Sequence, residues 1–138
     1  MAGYSKRSLV DKLGIKPGFR VSILKAPTGY TKTLGPMPSG VQVLAKPKLP
    51  MDFVHFFAKS RVEYEKKFNA LKKSLAQDGM LWISWPKGAS KVSTDMNEHV
   101  VRDFALKNGM VDIKVCAVDE AWSGLKLVIP LKGRKGSS

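Results

Sequence analysis

Lysines, serines and a glycine gather in PKGASKVS (86–93), between the apolar run LWISW (81–85) and a segment with helical patterning. Lys87, Lys91, Ser90 and Ser93 supply cations and hydroxyls, and Gly88 supplies a turn. That set suits a phosphate or a carboxylate. It is not a phosphate loop, because Gly88, Ser90 and Lys91 have the residue types of GxxxxGK[ST] at the wrong spacing. No GxGxxG occurs, and no GxSxG that would activate a serine. His55, His99 and Cys116 form no metal-ligand cluster. His55, among Phe53, Val54, Phe56 and Phe57, reads as a satisfied core histidine, and Cys116 between Val115 and Ala117 as a small buried hydrophobe. These absences favour binding over catalysis, with no metal and no cofactor expected.

The elements that must carry these residues follow from periodicity. SLVDKLG (8–14) reads as a short helix ended by Gly14. FRVSILKAP (19–27), VQVLAK (41–46), MDFVHFFAK (51–59), GMLWISW (79–85), VDIKVCAV (111–118) and LKLVIPL (125–131) read as strands. TGYTKTLGPMPSG (28–40) has room for one or two helical turns. RVEYEKKFNALKKSLAQDG (61–79) is the clearest helix: Tyr64, Phe68, Leu71 and Leu75 form one apolar stripe. Glu63 and Lys67 are spaced as an i,i+4 pair, and Gly79 is the expected residue just past the helix end. A second long helix is expected over 95–108, capped by Thr94 or by Asp95 with Glu98.

Strands alternating with helices, and apolar on both faces, predict an α/β fold with a mostly parallel sheet covered on both sides. The last two strands are too close in sequence for a crossover and must form an antiparallel hairpin. Ligands of such sheets bind outside the carboxyl ends of the strands. That rule gathers Lys25, Gly29 and Tyr30 from the end of the first strand and Lys59 from the third. Trp85, Lys87, Gly88, Ser90 and Lys91 come from the fourth, and Asp119, Glu120 and Trp122 from the fifth. Lysines and helix-start amides at Thr94 would hold an anion, while Trp85, Trp122 or Tyr30 would stack on a base. The other reading of the same residues is structural: Lys87 or Lys91 pairs with Asp119 or Glu120, and Trp122 plugs the rim.

At 138 residues the chain is expected to be one domain (1–138), with a basic N-terminal segment (1–18) and a flexible basic tail (132–138). The 24 Lys and Arg against 11 Asp and Glu give a net charge of +13, concentrated in the first third. Such a surface attracts phosphorylated ligands and polyanions, or serves solubility alone. No apolar run is long enough for a membrane span, and a single cysteine fits a reducing cytoplasm.

Taken together, LGIKPGFRVSILKAPTGY, DFVHFF, WPKGASK and VDEAWSGLK resemble a bacterial family known as a domain of unknown function. The strand order is similar to the Rossmann-like class I methyltransferase arrangement. That resemblance implies a sheet of about six strands closed by an antiparallel hairpin. A working S-adenosylmethionine site in such a fold has a glycine-rich turn after the first strand and a carboxylate ending the second. Here KAPTGYTK holds one glycine and Pro27, and the second strand ends Leu44, Ala45, Lys46, so the cofactor signature is lacking.

The expectation is therefore a non-catalytic binding or regulatory module with an anion-binding rim and a small anionic ligand. One alternative is a small enzyme acting on a nucleotide-like or other anionic metabolite. The other is a basic protein holding nucleic acid weakly and without sequence preference, through residues such as Lys6, Arg7, Arg20, Lys132, Arg134 and Lys135.

Overall fold

The computed structural model describes residues 8–88 and 92–131. Lys6 and Arg7, Ser90 and Lys91, and the tail lysines and arginine at 132, 134 and 135 lie outside the described residues. In order, the elements are α1 (Leu9–Leu13), β1 (Arg20–Leu24), α2 (Tyr30–Leu34), β2 (Gln42–Val43) and β3 (Met51–Phe57). They continue with α3 (Arg61–Lys73), β4 (Leu75–Pro86), α4 (Glu98–Lys107), β5 (Val111–Ala117) and β6 (Trp122–Val128).

The six strands form one sheet in the order β2-β1-β3-β4-β6-β5. β2, β1, β3 and β4 are parallel; β6 runs antiparallel to both of its neighbours, β4 and β5. This is the expected Rossmann-like α/β sheet with a C-terminal antiparallel hairpin. Chain order steps outward to β2 on one side of β1 and to β3 and β4 on the other. The reversal lies between β1 and β3, which makes their carboxyl ends the natural crevice.

Two-residue periodicity divides the core. Val54 and Phe56 of β3 with Leu81, Ile83 and Trp85 of β4 pack under α3 and α4 against Tyr64, Phe68, Leu71, Val101 and Ala105. Phe53 and Phe57 with Met80 and Trp82 face the other way, against Leu9, Val10 and Leu13 of α1 and Tyr30 and Leu34 of α2. The Trp82 indole N–H is satisfied there by the Leu13 carbonyl at 2.9 Å. Arg20 spends its guanidinium on the carbonyls of Lys48 and Pro50 and its amide on Asp52, which ties the segment before β3 to β1.

Several boundaries differ from the sequence reading, among them that between α3 and β4. α3 stops at Lys73, capped by Ser74, whose hydroxyl donates to the Leu71 carbonyl at 2.6 Å. Leu75 opens β4 opposite Met51 instead of ending the helical stripe. Met51 pairs with Leu75 but Phe53 pairs with Met80, so β4 bulges between them. Gly79 lies in that bulge, not past a helix end: a Cβ there would stand 2.5 Å from the Met51 carbonyl oxygen. Only glycine lets the two backbones approach so closely.

The start of α4 also moves. Asn97, not Thr94 or Asp95, caps it, accepting from the Val100 amide at 2.9 Å. Thr94 donates to the Lys59 carbonyl, and Asp95 accepts from the Arg61 amide at 2.8 Å. The segment before α4 thus braces the start of α3, and no helix begins at Thr94 to receive an anion.

Candidate functional site

The carboxyl end of β1 turns sharply. Lys25 takes a left-handed φ of 61°, which is costly for a residue with a Cβ, and Gly29 follows at 87° as the cap of α2. Across the reversal point, β3 leads through Lys59 into α3. Ser60 caps α3 by accepting from the Glu63 amide at 3.1 Å, and the Glu63 carboxylate accepts from the Lys59 amide. The same carboxylate reaches across the crevice to Lys25, with Oε2 3.3 Å from Nζ. It forms no pair with Lys67, the partner its helical spacing suggested.

Three adjoining hollows open around Lys25. One, of about 550 Å³, is floored by Phe57 and Trp122 and edged by Pro27, Lys59 and Glu63. A second, of about 310 Å³, lies over the first turn of α3 between Ser60, Lys66 and Lys67. The third, of about 510 Å³, has apolar walls of Leu24, Phe56 and Leu71, with Lys46 and Lys67 at its sides. Lys25 lines all three. A larger hollow of about 670 Å³ lies at the opposite end of the sheet, near Leu49, Leu75 and Ile129. The ammonium of Lys72 in that hollow is held by the Asn108 carbonyl at 2.9 Å. Placement at the strand-order reversal favours the Lys25 crevice over the larger hollow.

The expected site residues separate. Lys25 and Lys59 line the crevice, with Trp122 as a wall: 8% exposed, its ring meets Phe57 edge to face at 5.1 Å. Gly29 is exposed beside them. Tyr30 and Trp85 do not present a stacking face. Trp85 is buried in the core under α3 and α4, on the sheet face away from Trp122. Lys87 and Gly88 follow β4, where the Lys87 amide donates to the Ala121 carbonyl. Asp119 turns back on its own hairpin, accepting from the Ala121 and Trp122 amides. Glu120 is exposed in that turn.

Beneath the crevice floor, Tyr30, His55 and Ser84 form a buried chain. The Tyr30 hydroxyl is 2.6 Å from His55 Nδ1, and the Ser84 hydroxyl is 2.7 Å from His55 Nε2. Either tautomer satisfies all three groups. Burial drives the His55 pKa down to about 3 and pushes the Tyr30 hydroxyl well above its ordinary range. A neutral imidazole enclosed this way is a core member with satisfied hydrogen bonds, out of reach of solvent or ligand.

Glu63, Lys46, Lys66 and Lys67 were not among the site residues expected from the sequence. The signal for Glu63 was present, since Ser60-Arg61-Val62-Glu63 has capping-box spacing at the carboxyl end of a strand. Among the described residues no group of three or more His, Cys, Asp or Glu is placed to hold a metal, and no helix is long and apolar enough to cross a membrane.

No family model matches the chain, and no curated protein does. The fold does match solved structures. A SAM-dependent methyltransferase from Aquifex aeolicus shares 18% identity at a TM-score of 0.58, over 88% of this chain and 88% of its own. Magnesium protoporphyrin IX methyltransferase from Synechocystis, solved with bound SAM, shares 12% at 0.55, over 88% of this chain and 74% of its own. A possible exported protein from Bordetella parapertussis shares 10% at 0.63, over 88% of this chain and 66% of its own. At such identities the likeness establishes the fold. It also corrects the expectation of a non-catalytic binding or regulatory module, because the recurrent neighbours are methyltransferases. The chain has the Rossmann-like fold of the class I methyltransferases.

Proposed function

We propose that the chain is a small enzyme of the methyltransferase fold that acts on a nucleotide-like or other anionic metabolite. The observation that carries this reading is the coincidence of the Lys25 crevice with the strand-order reversal between β1 and β3. Lys25 and Lys59 would hold and polarise negative charge, while Phe57 and Trp122 exclude water on one side. No residue is assigned as general acid or base, since His55 is enclosed and Glu63 is engaged by Lys25.

The residues do not fit S-adenosylmethionine by the means the resemblance implies. After β1 the turn carries Pro27, which has no amide hydrogen, and the Tyr30 amide is spent on the Pro27 carbonyl. After β2, Lys46 stands where a carboxylate would grip ribose hydroxyls. No methyl-transfer step is therefore derived.

Turnover tests this reading directly. The purified full chain is incubated with a cell metabolite extract and followed by mass spectrometry against a Lys59→Ala, Trp122→Ala double variant. Consumption of a nucleotide-like or anionic species by the parent alone, with a matched product, is expected. No difference between parent and variant overturns the proposal.

A further inference from the structure

The three hollows around Lys25 are lined by five lysines, Lys25, Lys46, Lys59, Lys66 and Lys67, against one carboxylate, Glu63. Among the described residues Lys46, Lys59, Lys66 and Lys67 enter no salt bridge, and Glu63 is already bound to Lys25. Such a cleft repels a cationic sulfonium and attracts a multiply charged anion.

Two of the amides at the start of α3 are already spent within the protein. Arg61 and Glu63 donate to Asp95 and Ser60, which leaves the lysines as the main source of attraction. The adjoining hollow of about 510 Å³ has a different character, with Leu24, Phe56 and Leu71 giving it an apolar wall. Its volume lies within the roughly 300–1,000 Å³ typical of small-molecule sites. Charge at one end and an apolar slot at the other describe a ligand with a phosphate tail and a ring.

We infer that this cleft takes a nucleoside polyphosphate, its ring against Leu24, Phe56 and Leu71 and its phosphates along Lys25, Lys59 and Lys67. The inference rests on the crevice named above as the site and specifies the substrate class. On binding, a phosphate displaces the Glu63 carboxylate from Lys25. The exchange is favourable because a solvent-exposed ion pair holds little net free energy, whereas a phosphate brings more charge to several lysines at once.

Isothermal titration of the full chain with ADP, adenosine, pyrophosphate and S-adenosylhomocysteine, in low salt and at physiological salt, tests it. ADP is expected to bind saturably, at least tenfold tighter than adenosine or pyrophosphate, and more weakly as salt rises. Lys67→Glu and Lys46→Glu, both exposed, are each expected to weaken ADP at least tenfold with an unchanged melting temperature. Pyrophosphate binding as tightly as ADP overturns the nucleoside half of the inference. S-adenosylhomocysteine or adenosine binding as tightly as ADP overturns the anionic half and leaves the enzyme reading standing. Absence of any binding, or ADP binding indifferent to both variants, overturns the inference outright; the turnover comparison then decides separately whether the crevice is a site.

Discussion

Lys25 Nζ lies 3.3 Å from the Glu63 carboxylate, so β1 and the first turn of α3 are joined across the mouth of the crevice between β1 and β3. The pair does two things at once. It neutralises the lysine that stands in a strained left-handed turn, and it occupies the position an anionic ligand needs.

Glu63→Gln separates these roles. The lysine side chain is 59% exposed and the glutamate 28%, so losing the pair should change stability by less than about 1 kcal/mol. The amide oxygen can still accept from the Lys59 amide. Removing the competing negative charge should tighten ADP several-fold. Titration of the variant beside a thermal melt checks both, and an unchanged or weaker affinity counts against the crevice as an anion site.

The buried chain under the crevice predicts a pH dependence. His55 titrates near 3 in the folded protein and near 6.5 when unfolded, so between those values the unfolded state binds the extra proton. This contribution to stability is complete above about pH 6.5 and is lost as pH falls toward 3. Between pH 6 and 5 the parent should lose about 1 kcal/mol per pH unit from this group. His55→Gln, which can bond both Tyr30 and Ser84, should flatten that slope. Tyr30→Phe should retain it and cost about 1–3 kcal/mol at pH 7, because His55 Nδ1 is left without a partner. Denaturant unfolding at several pH values measures all three.

Much of the fold was legible because most buried positions report their face by alternation. Val54 and Phe56 against Phe53 and Phe57 are an example, and the short hairpin connection fixed the antiparallel end. The end of α3 was not legible. Leu75 continues the helical spacing of Leu71, and only the Met51 contact and the Ser74 cap reveal that the chain has already become a strand. The site was half legible. The rule about strand ends found Lys25, Lys59 and Trp122, but a strand buried on both faces does not say which face Trp85 takes. Glu63 was hidden because its helical spacing to Lys67 offered a local partner, and the real one lies across the crevice.

Gly79→Ala tests the reading of the bulge. The added methyl meets the Met51 carbonyl oxygen at 2.5 Å and the Ala76 carbonyl oxygen at 3.1 Å, both backbone atoms that cannot swing aside. A loss of about 1–3 kcal/mol is expected. Were Gly79 only the left-handed residue after a helix, alanine would cost about 1 kcal/mol, at the low end of that range. Chemical denaturation distinguishes the two, with Gly88→Ala as the control, since among the described residues no atom beyond its chain neighbours lies within 4 Å of a Cβ placed at residue 88.

The tryptophans give an optical test of where the ligand sits. Trp122 walls the crevice beside Lys25 and Lys59, while Trp85 lies on the other face of the sheet and Trp82 is sealed in the core over α1. A nucleotide entering the crevice alters the surroundings of Trp122 alone. Trp85→Phe should therefore keep the fluorescence change on adding ADP, and Trp122→Phe should lose it. Replacing Trp122 by phenylalanine preserves an aromatic contact with Phe57, so the variant is expected to fold and to bind ADP with an affinity within a few-fold of the parent. Titration calorimetry on that variant separates loss of signal from loss of binding. A change that persists in Trp122→Phe and vanishes in Trp85→Phe would place the ligand away from Lys59 and Trp122 and count against the crevice as the site.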